Sequence, residues 1–298
     1  MRLYDAFVDP TSHNLVLIFE ALQANLVDLI KSRRGHFLPA YVIGHIMCQI
    51  ALGLEHIHQH NMIHRDMKPD NILYAIRDGS YAVKISDFGL TRAKTGRPLT
   101  EYIGTIWYRA PENALSSRDY TAKIDCWGWG CIAMELINLS PLFPAKDTFR
   151  LLQMQTAILG SPRNWNLTSS NTNPNMPVIG GGAWNEGRLM AKKLGYFFQE
   201  VRPSPLEHRI QDHQFPPNFT RLVASTLRWD QEQRKSAAEL VQSSLWKELG
   251  VEPRPASRCS NIITSNGNGE TKYNWSHSDL VKEKGSNLLN VATLPLLA

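Results

Sequence analysis

The stretch HRDMKPDNIL, residues 64 to 73, sets a histidine, an arginine, a lysine, two aspartates and an asparagine directly before an apolar pair, Ile72-Leu73. Upstream, Ile43, Met47, Ile50, Leu54 and Ile57 recur at alternating steps of four and three. That spacing predicts one buried face of a long helix starting near Leu38, with Pro39 tolerated in its first turn. Downstream, NILYAI (71–76) and YAVKIS (81–86) read as two strands joined by Asp78-Gly79-Ser80, a hairpin signal. A second carboxylate, Asp87, heads the triplet Asp87-Phe88-Gly89 just past that hairpin. The stretch 87–112 has no sustained period and reads as a long loop closing on Ala110-Pro111-Glu112.

This set of polar groups suits phosphoryl transfer. The reaction needs a carboxylate to orient the attacking hydroxyl and oxygen ligands to hold Mg²⁺ on the phosphates, with little covalent work left for the protein. Asp66 fits the carboxylate, Lys68 a counter-charge for the γ-phosphate, and Asn71 a neutral oxygen ligand. The hairpin would return Asp87 beside Asn71, and hard oxygen donors suit Mg²⁺. Taken singly, Asp66 and Asp87 are ordinary turn carboxylates; the joint pattern with Asn71 argues otherwise.

Elsewhere, residues 13–19 read as a strand and 24–34 as a short helix with positive charge at its C-terminal end. Residues 121–138, TAKIDCWGWGCIAMELIN, are apolar nearly all round, which at helix length implies a buried central helix. Further helices are predicted over 147–159, 185–194, 218–228 and 236–248, with a polar Asn/Pro/Gly insert from 161 to 187. From Gly250 the composition shifts to serine, asparagine and isolated charges, which predicts a flexible tail over 250–298.

H-R-D-x-x-x-x-N, D-F-G and A-P-E in that order, with the hairpin between the first two, resemble the signature of the eukaryotic protein kinases. Lys68, two residues after Asp66, is the serine/threonine-kinase pattern. The resemblance implies an α+β fold: mainly the helical C-terminal lobe (22–249), preceded by a remnant of the N-terminal lobe's sheet and the start of the hinge (1–21). It implies ATP and Mg²⁺ as cofactors and proteins as substrates. TEYIGTIWYRAPE resembles the activation segment of the cyclin-dependent and MAP kinase (CMGC) group. LIFEALQANLVDLIKSR and AWNEGRLMAKKLGYFF look closest to its male germ cell-associated and meiosis-inducing branch.

By the same resemblance Asp66 is the catalytic base, and Asn71 and Asp87 hold Mg²⁺. Phe19 lies at the back of the adenine pocket, Glu20 and Leu22 offer backbone hydrogen bonds, and Leu73 forms the floor. His64, Arg65 and Asp125 support the catalytic loop, and Arg234 pairs with Glu112. Thr100 and Tyr102 are candidate regulatory phosphorylation sites for an upstream kinase, since a phosphate on Thr100 would meet the guanidinium groups of Arg65 and Arg92.

Two positions depart from the group's pattern: Ile106 stands where arginine is usual, and Gly128 where serine or alanine is usual. The first puts the group's preference for proline after the target residue in doubt. No G-x-G-x-x-G precedes residue 64, and Arg2 is the sole lysine or arginine before Lys31. Two expectations follow: an incomplete form of an active kinase, or a pseudokinase or binding scaffold. A small-molecule phosphotransferase is disfavoured by the long loop ending in APE and by the Asp125 helix, which serve peptide docking.

Composition bounds the remainder. The 298 residues are 43% hydrophobic, enough for a real core, and the net charge of +5 comes from interspersed signs, which argues against nucleic-acid binding. No run approaches the roughly 18 unbroken apolar residues of a membrane helix, and MRLYDAFVDP lacks the apolar core of a secretion signal. The expectation is cytoplasm or nucleus, with no membrane partner. Four scattered cysteines, Cys48, Cys126, Cys131 and Cys259, show no zinc-ligand spacing.

Overall fold

Leu3–Val8 (β1) and Asn14–Glu20 (β2) fold back on each other antiparallel, with Val8 opposite Leu15 and Leu3 opposite Phe19. The Asp9 side chain builds the reversal by accepting the Thr11 amide at 3.0 Å and the Ser12 hydroxyl at 2.7 Å. Alternation along β2 buries Val16 and Ile18 on one face. The computed structural model describes residues 1–77, 79–93, 105–165, 179–211, 215–253 and 289–295.

Ala24–Asn25 (β3) runs into helix α1 (Leu26–Ser32), whose first turn is capped by Asn25 accepting the Asp28 amide at 3.0 Å. Helix α2 (Ala40–Gln59) follows, with Pro39 just outside its first turn, and buries Ile43, Met47, Ile50 and Leu54 as the periodicity predicts. It has the length and hydropathy of a membrane span, yet that face packs inside the core against the hairpin and the buried helix described next.

Met62–Ile63 (β4) leads through the charged loop to the hairpin Ile72–Arg77 (β5) and Ser80–Ile85 (β6), with Ile72 opposite Ile85. Arg92–Ala93 (β7) pairs with β4, placing Arg92 across from Ile63. Pro111–Ala114 (α3) precedes α4 (Lys123–Asn138), in which every residue from Ile124 to Ile137 is buried. Trp129 ties α4 to α2 by donating its indole N–H to the Met47 carbonyl at 2.9 Å.

The remaining helices are α5 (Thr148–Leu159), α6 (Asn185–Lys193), α7 (Pro217–Ala224), α8 (Ala237–Val241) and α9 (Leu245–Glu248). Two expected helices are corrected. The one predicted over 218–228 stops at Ala224 because Ser225 and Thr226 hydroxyls donate to the Leu222 and Val223 carbonyls at 2.6 and 2.8 Å. The one predicted over 236–248 is two helices, since the Trp246 indole takes the Leu240 carbonyl at 2.7 Å, an acceptor that an unbroken helix would give to residue 244.

Within the stretch 250–298, expected as a flexible tail, residues 289–295 form a strand. Leu289–Pro295 (β8) is a strand on the edge of β2 opposite β1, so the sheet order is β1-β2-β8. A second sheet runs β3-β5-β6, and β4 pairs β7 alone.

Candidate active site

Helix α4 begins the site. Its first turn carries Asp125, whose Oδ2 accepts the His64 amide at 2.9 Å and whose Oδ1 accepts the Arg65 amide at 2.8 Å. His58, at the end of α2, donates Nε2–H to the same Oδ2 at 2.9 Å. Burial by itself would raise the Asp125 carboxyl, but the His58 hydrogen bond and charge, with His64 and the Arg65 amide, hold it below the ordinary carboxylate range. Asp125 is thus the anion that pins the charged loop to the core. Arg65 has φ 73, a left-handed backbone that residues other than glycine rarely adopt, and the Asp125 contact holds it there.

His64 joins two loops. The Ser86 carbonyl can only accept, so Nε2 of His64 carries the proton across their 2.9 Å contact, and Nδ1 is left to accept the Asp66 amide at 3.3 Å. Its ring meets Phe88 edge-on at 5.3 Å. A single histidine thereby fixes the backbone at Asp66 and the approach to Asp87.

Asp66 sits in a fixed frame of hydrogen bonds. Its Oδ2 receives Lys68 Nζ at 2.6 Å and Asn71 Nδ2 at 2.9 Å, while its carbonyl takes the other Asn71 proton at 2.8 Å. With both amide hydrogens spent on Asp66, the group that Asn71 has left is Oδ1, an acceptor. The Asn71 carbonyl accepts the Ser86 amide at 2.8 Å and hydroxyl at 3.0 Å, which sets Asn71 against the residue before Asp87. Asp87 lies in the left-handed region (φ 60) with the Gly89 amide donating to its Oδ1 at 3.2 Å.

The end of β2 and the linker after it carry Glu20 and Leu22, the expected nucleotide-side residues, to the β5–β6 hairpin. Gln23 donates its backbone amide to the Tyr74 carbonyl at 2.9 Å and Asn25 pairs with Leu73, so half-buried Leu22 directly precedes the segment that pairs with the strand of Leu73. Glu20 accepts the Arg2 amide at 2.7 Å and Lys84 Nζ at 3.3 Å. Burial raises the Glu20 carboxyl, yet these two partners outweigh it and leave the carboxyl below its ordinary value. Lys84 stands opposite Leu73 on the hairpin, so its ion pair joins the two sheets.

The sequence profile described as the Protein kinase domain matches residues 1–246. The chain belongs to the protein kinase family. The sporulation protein kinase mde3 of Schizosaccharomyces pombe is 33% identical over 79% of this kinase and 41% of its own length. The meiosis induction protein kinase IME2/SME1 of Saccharomyces cerevisiae is 32% identical over 81% and 40%. The human serine/threonine-protein kinase MAK is 36% identical over 77% and 33%. These relatives place it among the CMGC serine/threonine kinases, and it spans about two fifths, or less, of their length. The structure of the yeast RNA Pol II CTD kinase CTDK-1 complex matches with a TM-score of 0.69 at 26% identity, over 85% of this kinase and 77% of that chain. The mainly helical α+β kinase fold expected from the motifs is the fold found.

Beyond the charged loop, the kinase's Glu112 and Arg234 form a buried bidentate pair, with Nη2 to Oε2 at 2.6 Å. Arg234 also donates to the Arg228 and Trp229 carbonyls at 2.7 and 3.0 Å and lies 5.1 Å from the Trp127 ring centre. Arg65 stacks its guanidinium 5.7 Å from the Tyr120 ring. Arg92, the other expected phosphate partner, is exposed on β7. Thr100 and Tyr102 lie outside the described residues.

Several site residues carried no signal in one sequence. His58, Lys84 and Glu135 are single polar side chains whose partners lie 67, 64 and 27 residues away. Glu135 accepts the Tyr108 hydroxyl at 2.8 Å from within α4, and burial first, with Asp70 adding to it against the Tyr108 bond, pushes its carboxyl up to about 7. Trp107 donates to the Ala145 carbonyl at 2.9 Å and Gln155 to the Arg109 carbonyl at 3.0 Å. Those contacts stitch the segment before A-P-E to α4 and α5, with half-buried Ile106 against the core.

Proposed function

We propose that the chain transfers the γ-phosphoryl group of ATP to a serine or threonine hydroxyl of a protein, with Asp66 as the base that orients and accepts the hydroxyl proton. What carries the reading is the frame around Asp66: Lys68 and Asn71 fix its Oδ2, and the Asp125 contacts fix the backbone behind it. A carboxylate so held loses little entropy in presenting itself to a hydroxyl.

The donor set fits Mg²⁺. Asn71 Oδ1 and the Asp87 carboxylate would hold it, two hard oxygen ligands of the kind that leave room for phosphates and water. When bound, the ion neutralises charge on the phosphate oxygens. Glu20, Leu22 and Leu73 line the nucleotide side, and Lys68 stands ready beside Asp66 to move its charge toward the transferred phosphoryl. Phosphate on Thr100, placed by an upstream kinase, would draw on Arg65 and Arg92. Ile106 offers no charge to the substrate segment, so the preference for proline after the target residue is weaker than in kinases with arginine there.

The test is a pair of substitutions read by different measurements. Asp66→Asn lowers kcat by about 100- to 10,000-fold, the range for losing a positioned general base, while Mg²⁺-dependent nucleotide affinity stays near the parent's. Asp87→Asn lowers both. Equal nucleotide affinity with and without Mg²⁺ in the parent overturns the metal assignment.

A further inference from the structure

The end of α2 carries three histidines at alternate positions, His56, His58 and His60, and they divide by side. His58 is half-buried and turned to Asp125. His56 and His60 are exposed and four residues apart, the spacing that sets two side chains on one face of a helix. Their ring centroids stand 4.4 Å apart. This pair takes no part in the site described above.

His60 is held in one orientation. The His56 carbonyl can only accept, so Nδ1 of His60 carries the proton across their 2.8 Å contact and Nε2 keeps the lone pair. The His60 amide donates to the same carbonyl at 3.3 Å. An imidazole whose other N–H is fixed on a backbone carbonyl is the arrangement that metal-binding histidines use. Two nitrogens at about 2.0–2.1 Å from a tetrahedral ion lie about 3.3 Å apart, a span that these rings reach by rotation of the His56 side chain.

We infer that His56 and His60 form a two-imidazole site, outside the cleft, for a divalent cation of the Zn²⁺, Ni²⁺ or Cu²⁺ class, with water completing its coordination. Among the described residues no third histidine, cysteine or carboxylate joins the pair, so the ion keeps open positions. Ligand softness separates this site from the cleft: imidazoles suit these ions, whereas Asn71 Oδ1 and the Asp87 carboxylate suit Mg²⁺. A bound ion clips together the turn from which His58 reaches Asp125.

The test is a titration of Zn²⁺ into the full chain with excess Mg²⁺ present, a chelating dye reporting free Zn²⁺ and side-chain NMR locating the bound ion. The ring signals of His56 and His60 should shift together, ahead of those of His36 and His208. His56→Gln and His60→Gln should each weaken this step about 100-fold, since the second imidazole no longer binds intramolecularly. Should His60→Gln lose its fold, His56→Gln decides, because it keeps the backbone carbonyl that His60 contacts. Zn²⁺ that shifts other histidines first overturns the inference, as does an affinity unchanged in His56→Gln. One Zn²⁺ per two chains with a doubled mass assigns the ion to a pair of copies and overturns the single-chain site. Phosphotransfer is not read, so a failure of the kinase assignment leaves this test unaffected.

Discussion

Oδ1 of Asp125 accepts the backbone amide of Arg65 at 2.8 Å, across 60 residues of sequence, and holds Arg65 at φ 73. The carboxylate has two oxygens for two loop amides and one imidazole; a carboxamide has a single acceptor oxygen. Asp125→Asn therefore leaves at least one buried amide unpaired and sets an NH₂ against another donor. We expect a loss of about 2–4 kcal/mol in urea unfolding, with a kcat drop larger than any change in nucleotide affinity. The depressed carboxyl adds a pH arm: its stabilisation is present above the ordinary carboxylate range and is lost as pH falls through the lowered folded value. Asp125→Asn should flatten that acid limb, and an unchanged limb would refute the role.

Glu135 works in the other direction. Its folded carboxyl stands at about 7 against an ordinary 4.5, so between those values the folded state binds the extra proton and stability falls as pH rises. The fall is at most about 3 kcal/mol. Glu135→Gln keeps an acceptor for the Tyr108 hydroxyl and removes the ionisation. The variant should match the parent near pH 5 and exceed it at pH 8. Parallel stability curves for the two proteins would show that Glu135 does not titrate in this window.

The order of motifs made the fold legible because each triplet needs a fixed place: Asp66 and Asn71 on one loop, Asp87 returned by the β5–β6 hairpin, Glu112 after the long segment. The period of α2 and the all-round apolarity of α4 predicted which helices are central. What stayed hidden depends on tertiary partners. Nothing local says that His58 faces Asp125, that Lys84 reaches Glu20, or that Trp246 takes the Leu240 carbonyl and breaks a helix. β8 was hidden for a related reason, since a short uncharged run in a polar segment becomes a strand by pairing with β2.

Gly128, a departure in the motif reading, has a steric cause. A Cβ built there would lie 2.6 Å from Met67 Cβ and 3.1 Å from the Met67 carbonyl, so α4 and the charged loop are in close contact. Gly128→Ala must push Met67, and with it Asp66. Overpacking of this kind costs about 1–3 kcal/mol. We expect a lower Tm and a reduced kcat, with Gly128→Ala/Met67→Ala recovering neither, since alanine keeps the Cβ and the carbonyl that the new methyl meets. A single variant as stable and as active as the parent would mean that the loop yields freely.

The pair Glu112–Arg234 is buried on both sides, and Arg234 carries the Arg228 and Trp229 carbonyls as well. Arg234→Met leaves a carboxylate in the core with its bidentate partner gone, which costs about 3–5 kcal/mol. Glu112→Gln/Arg234→Met removes the stranded charge but still orphans the two carbonyls. The double variant should therefore be more stable than Arg234→Met alone by about 1–3 kcal/mol, yet remain below the parent. Arg234→Lys keeps the charge and loses the fork, so it should fall between the parent and Arg234→Met. Urea unfolding of the five proteins, the Glu112→Gln single variant included, reads all of this at once. If the double variant lost the full sum of the two single losses, the two side chains would be acting independently and the pair would not be the unit that anchors the end of the long loop.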